Sequence, residues 1–234
     1  TTLDILPLDE LNSTSTYLYN RDGAVSYAHR WAHDRNTKYH DFTGEGGDCT
    51  NFVSQAMYEG GKALMAFTPN PRPEIGGPGW YYTSLIHRAA AWTDTGRLFS
   101  FLVSENWDKG PEGMEVSSKD YTLAGDLIQY DWENDAIWDH SVIIVGYRDP
   151  EWEYLPLVAS HDEDHDYYPY TSFYYQAARF IHIKYNRGHL PVYLPIILNT
   201  NYGLADQMGS SGLNPYPVPS NFSEQNHPEP YPEP

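Results

Sequence analysis

The only cysteine of the chain stands in Gly46-Gly47-Asp48-Cys49-Thr50-Asn51-Phe52-Val53-Ser54-Gln55, and this stretch restricts the fold more than any other. From Cys49 the apolar or small residues fall at Phe52, Val53, Ala56, Met57 and Gly60, a helical spacing that predicts an amphipathic helix. Gly60-Gly61 stops it. Gly46-Gly47 makes the turn that feeds it, and Asp48 stands where an N-cap belongs. Cys49 is then the first helical residue. A sulfur there lies over free backbone N–H groups and the positive end of the helix dipole, which favours thiolate over thiol. Most lone cysteines are buried and structural, but the start of a helix is where a nucleophilic thiol is wanted.

Composition narrows the partners. The 234 residues suffice for one domain with a full core plus extensions. A formal net charge of -18 supplies no basic face for nucleic acid and disfavours an anionic membrane surface. One cysteine excludes an intrachain disulfide and a cysteine-only zinc site, and it leaves the compartment open. No signal peptide or membrane-spanning run is legible, and Thr1 in place of a start methionine fits a leader already removed or a chain already shortened. The 21 Tyr and 7 Trp fit a glycan or peptide cleft and equally a half-exposed aromatic core.

Taken in order, residues 1–16 read as a polar extension. Asn20 caps a helix whose apolar face is Ala24, Val25, Ala28, Trp31 and Ala32, expected to pack beside the cysteine helix. His29, His33 and His40 read as solvated or capping histidines. Tyr39 is placed to touch the active centre through its hydroxyl. A Pro/Gly-rich loop runs over 68–79 and ends at Trp80-Tyr81-Tyr82, and Trp80 is a candidate for the edge of a substrate cleft. Helices are expected over 83–107 and a polar connector over 108–120. From Tyr121 the texture turns to β-strands, over Leu127 to Tyr130, Asp139 to Tyr147, Tyr154 to His161 and Phe180 to Tyr185. Helices first and a strand meander later define an α+β domain over 17–187. Residues 188–234 read as a Pro/Ser/Asn-rich segment and tail, with an edge strand expected near Val192 to Leu198 and no membrane insertion.

A thiol nucleophile needs a base, and the base needs an orienting partner. His140 opens a buried strand and is the candidate base. A hairpin turning between Pro150 and Glu151 pairs residue 140 with residue 161, which is His161, so that two imidazoles would touch, whereas a one-residue shift of the turn places Ala159 or Glu163 there instead. A thiolate and a protonated His140 would stabilise each other, with His161 fixing the ring. Backbone N–H groups at the helix start, from Asp48 and Cys49, would receive a developing oxyanion. His161-Asp162-Glu163-Asp164-His165-Asp166 offers mixed metal ligands, but it reads as an acidic surface loop, and neither a metal nor a cofactor is expected.

The blocks Gly47-Asp48-Cys49-Thr50-Asn51-Phe52-Val53-Ser54-Gln55, Ala124-Gly125-Asp126-Leu127-Ile128-Gln129-Tyr130, Asp139-His140-Ser141-Val142-Ile143-Ile144-Val145 and Ser160-His161 resemble the bacterial putative amidase domain family. That family is grouped with papain-like cysteine peptidases and is similar to the cell-wall endopeptidases. The resemblance covers about 18–185. It implies a papain-like α+β fold with the nucleophile helix packed on an antiparallel sheet, and the roles of nucleophile for Cys49, base for His140 and orienting residue for His161. It also implies a hydrolase of amide or peptide bonds, with bacterial wall stem peptides as candidate substrates and a secreted or cell-surface setting. Thr50-Asn51 replaces the Ser-Gly of the wall enzymes, and the 62–120 insertion alters the cleft, so their substrate preference does not carry over. The competing readings are a non-catalytic module binding wall glycan or protein, and an acyl transferase or deamidase using the same thioester.

Overall fold

In a computed structural model of the chain, residues 18–68, 74–148 and 154–187 are described. The expected extension over 1–16 and the segment over 188–234, with its edge strand, lie outside the described residues. Helix α1 is Arg21–Trp31, and the Asn20 side chain accepts from the Gly23 N–H as its cap. Helix α2 is Cys49–Gln55 and runs straight into a π-helical turn, Ala56–Gly60. The two helices meet backbone to backbone at Gly23 and Gly60. A Cβ added to Gly23 would lie 2.3 Å from the Gly60 carbonyl oxygen, so both positions need glycine.

Helix α2 departs from the amphipathic expectation, because all seven of its residues are buried. Its polar side chains are satisfied by aromatic donors. Trp92 Nε1 donates to Asn51 Oδ1 (2.9 Å), Trp80 Nε1 to Ser54 Oγ (3.1 Å) and the Tyr27 hydroxyl to Gln55 Oε1 (2.7 Å). The polar stripe of α2 therefore faces a wall of indoles rather than water.

The rest is β-rich. Strands β1 (Ile75–Gly77), β2 (Tyr82–Ser84) and β3 (His87–Ala89) make a small sheet in the order β1-β3-β2. Helices α3 (Ala90–Thr93) and α4 (Thr95–Val103) follow. The helices expected over 83–107 thus begin only at Ala90. Leu85 and Ile86, within that expected helical stretch, lie exposed between β2 and β3. The polar connector is in fact β4 (Gly110–Val116). Next come β5 (Leu127–Asp131), β6 (His140–Arg148), β7 (Leu155–Ser160), β8 (His165–Pro169) and β9 (Ala177–Arg187). They form a six-stranded antiparallel sheet in the order β4-β9-β5-β6-β7-β8. The architecture is α+β, as the order of elements suggests.

Alternation along the strands separates two cores. Leu127, Ile143, Ala159 and Ile181 face the helices, while Ile128, Tyr130, Val142, Ile144 and Val158 face an aromatic cluster with Tyr170 and Phe173. Helix α1 is tied to this sheet by Asp126. Its fully buried carboxylate pairs with Arg21 (2.6 Å) and His182 (2.8 Å) and accepts from the Leu123 and Ile183 N–H groups. The Gly-Asp block before β5 is therefore a structural fastening rather than part of the chemistry.

Candidate active site

The turn at Gly46-Gly47 sets the cysteine. Both glycines have positive φ, +108° and +110°, where a side chain is strained. Asp48 occupies the N-cap position, but its side chain makes no cap hydrogen bond. The carboxylate turns inward instead. Oδ1 accepts from the Phe42 N–H (3.0 Å) and Asn51 Nδ2 (2.7 Å), and Oδ2 lies 2.6 Å from His161 Nδ1. The cap is supplied from across the chain by Asp162. Its Oδ2 accepts from the N–H groups of Asp48 (2.6 Å) and Cys49 (3.0 Å). A Cβ on Gly47 would lie 2.9 Å from that oxygen, a second reason for glycine there.

Cys49 and His140 meet. Cys49 Sγ, a ring nitrogen of His140 and a carboxylate oxygen of Asp162 all lie within 4.8 Å of one another. Helix α2 brings the sulfur and the first residue of β6 brings the imidazole, so the expected convergence of distant segments is present. Cys49 Sγ also lies 3.9 Å from the Asp139 carbonyl oxygen, to which the thiol donates, and 3.7 Å from Thr50 Oγ1. The His140 ring is 4% exposed overall and packs among Phe173, Tyr130 and Trp132, with centroids 5.3, 6.1 and 6.3 Å away. Among the described residues its Nε2 has no hydrogen-bond partner.

His161 does not touch His140 in the expected way. Nδ1 faces Asp48, Nε2 donates to the Trp31 carbonyl oxygen (2.7 Å), and the ring stacks on Phe52 at 4.0 Å. Both nitrogens are spent on fastening the cysteine turn to the end of α1. The cause is strand register. Arg148 pairs with Leu155, and an irregularity between Ile144 and Gly146 then sets Ile144 against Val158 and Ile143 against Ala159. Carried back to residue 140, that register reaches Asp162 rather than His161.

Two other expected site residues are placed elsewhere. Trp80 is fully buried, packed at a tilt against Trp92 (ring centroids 4.7 Å apart), and its indole N–H is satisfied by Ser54, so it is core and not cleft edge. The Tyr39 hydroxyl donates to Glu59 (3.0 Å), and burial, then Glu59, hold the phenol well above its ordinary range. Within the acidic run, Asp164 pairs with Arg35 (2.8 Å), while His165 and Asp166 belong to β8, a strand the sequence does not announce.

The electrostatics correct a further expectation. Burial pushes the Cys49 thiol up to about 11, with the Asp162 charge adding to it against hydrogen bonds from the Ser141 and Thr50 backbone. Burial, then the nearby His165, pushes His140 down to about 4. Both shifts favour thiol and neutral imidazole over thiolate and imidazolium. Burial also raises the Asp162 carboxyl, opposed by its two backbone donors.

The His140 shift has a stability consequence. Between pH 6.5 and about 4 the unfolded chain binds a proton that the folded chain refuses, so stability falls as pH drops through that window. The expected loss is roughly 3 kcal/mol. Urea unfolding of wild type and His140→Gln across pH 4–7 measures it. Wild type should lose stability more steeply, and parallel curves would contradict the burial of a neutral ring.

The site thus brings a thiol and an imidazole together at the head of a helix. The putative amidase domain family matches residues 18–184. The chain belongs to that family, whose description points to hydrolase activity. A Bacillus subtilis (strain 168) protein described as uncharacterized protein YhbB is 33% identical over 130 residues, 56% of this chain and 38% of that relative. The match thus spans well under half of the relative's length. No solved structure matches the chain.

Proposed function

We propose that this protein is a cysteine-dependent hydrolase of amide or peptide bonds with a papain-like arrangement, Cys49 as nucleophile and His140 as general base and acid. The observation that carries the reading is the meeting of Cys49 Sγ and the His140 ring within 4.8 Å, beside two backbone N–H groups. Both groups start neutral, so the first step couples two events. The thiol proton passes to His140 as sulfur attacks the carbonyl carbon and the carbonyl π electrons move onto oxygen. That oxygen takes the Asp48 and Cys49 N–H groups, and a donor of this kind typically contributes about 2.7–4 kcal/mol of transition-state stabilisation. The tetrahedral adduct collapses, the C–N bond breaks, and the amine leaves with the proton from His140. Water, deprotonated by His140, then cleaves the thioester and restores the thiol.

In this scheme Asp162 has to yield its two N–H donors to the substrate carbonyl. His161 acts through Asp48, holding the turn. A stem peptide of the bacterial wall is the proposed substrate and the cell surface the proposed setting, by family resemblance. Incubating the protein with wall-peptide digests and following new amines and masses tests the reaction. Release of products that iodoacetamide abolishes supports it, and intact substrates throughout would contradict it.

Asp162→Asn offers a separate check. The amide oxygen keeps an acceptor for the two N–H groups while removing the charge that disfavours thiolate. Alkylation of Cys49 by iodoacetamide near pH 8 should rise several-fold, because the carboxylate charge no longer opposes the thiolate. An unchanged or slower rate would show that the carboxylate does not restrain the sulfur.

A further inference from the structure

We propose that Cys49, His140 and Asp162 form a zinc-class cation site that switches the thiol off. The proposal extends the reading of Cys49 as the nucleophile, but occupancy of the site requires no turnover. Three different donors converge here, with Sγ, a ring nitrogen and a carboxylate oxygen mutually within 4.8 Å. Tetrahedral zinc holds sulfur at about 2.3 Å and nitrogen or oxygen at about 2.0–2.2 Å, which places ligand atoms roughly 3.3–3.8 Å apart. Modest side-chain movements close that difference, and Asp162, exposed on the loop between β7 and β8, is placed to make them.

A second observation points to a ligand. His140 is 4% exposed, yet among the described residues its Nε2 has no hydrogen-bond partner. Buried polar atoms are nearly always paired. A buried imidazole beside a sulfur and a carboxylate is a donor already stripped of water.

The donor set chooses the metal. Thiolate with imidazole and carboxylate suits zinc and its neighbours, whereas calcium and magnesium favour oxygen alone. Three protein ligands leave a fourth position for water or a substrate group. The other candidate cluster, Asp131, Glu133 and Asp139, lacks such support. That cluster is all carboxylate and offers neither sulfur nor nitrogen, so it does not select zinc. On binding at the mixed site, the thiol proton passes to buffer, and the sulfur and imidazole are both withdrawn from catalysis.

Cobalt(II) is the probe, because a cobalt–thiolate bond gives a near-ultraviolet charge-transfer band that carboxylate sites do not. Titration of the full chain should produce the band, and Zn2+ should bleach it. Cys49→Ala should lack the band. Asp162→Asn should bind Co2+ at least tenfold more weakly, even though its metal-free thiol alkylates faster. A second reading needs no variant: Zn2+ should protect wild-type Cys49 from iodoacetamide, and a chelator should restore alkylation. Absence of the band at saturating Co2+, or an affinity unchanged in Asp162→Asn, overturns the site. Peptide hydrolysis without the band removes the metal proposal alone. A band without hydrolysis on any substrate leaves the metal site standing and removes the hydrolase.

Discussion

Cys49→Ala is expected to reduce amide hydrolysis to near the uncatalysed background, a loss on the order of 10⁴-fold or more. No other thiol exists in the chain to substitute for it. His140→Gln should lower kcat by about 10²–10⁴-fold, the range of a lost general base, with far less change in KM. The split matters because the resting pair is neutral. If His140 only packed against Phe173, Tyr130 and Trp132, its replacement would alter stability and leave the pH profile of the remaining activity unchanged. As the base, it should flatten the acid limb. Circular dichroism on both variants separates loss of chemistry from loss of fold.

Asp48→Ala carries the second large effect, this time on stability. The Asp48 carboxylate accepts from Phe42 N–H, Asn51 Nδ2 and His161 Nδ1 within 3.0 Å, and it is fully buried. Removing it strands the His161 ring and an amide donor inside the protein. Breaking one partner out of a buried, hydrogen-bonded ionisable pair costs about 3–5 kcal/mol. Urea denaturation should show that loss as a lower midpoint at unchanged slope. Asp48→Asn keeps the shape and the Oδ1 acceptor and should lose less. A change below about 1 kcal/mol in Asp48→Ala would mean that the turn is held by Asp162 and the glycines alone. The loss should also be reproduced by His161→Ala, since the two side chains serve one fastening.

Much of the site was legible because it depends on local chemistry. Gly46-Gly47 before a helix, a cysteine at its first position and a β-branched run after His140 each report their own conformation. What escaped depends on tertiary partners. Asp48 was legible as a cap position, but the inward turn of its carboxylate is set by His161, Phe42 and Asn51. The polar face of α2 looked solvent-exposed because nothing local shows that Trp80, Trp92 and Tyr27 will donate to it. Trp80 looked like a cleft residue for the same reason. Strand β4, Gly-Pro-Glu-Gly-Met-Glu-Val, is poor in strand formers and exists because β9 pairs with it. The neutral resting state was hidden too. Burial of Cys49 and His140 outweighs a helix start, and burial is a property of the assembled fold.

The register of β6 against β7 shows how a small local shift redirects a functional inference. A difference of one position in register exchanged His161 for Asp162 opposite the candidate base. The exchange puts a carboxylate, not an imidazole, against the backbone donors at Cys49. It also leaves His161 free to fasten the nucleophile turn to α1.

The most direct test is intact-mass analysis of the folded wild-type protein quenched in acid during turnover of an activated peptide ester. The account predicts a hydroxylamine-labile acyl adduct that maps to Cys49 and builds up more slowly in His140→Gln. An adduct on another residue, or substrate consumed with Cys49 unmodified in every quench while Cys49→Ala remains active, would contradict it.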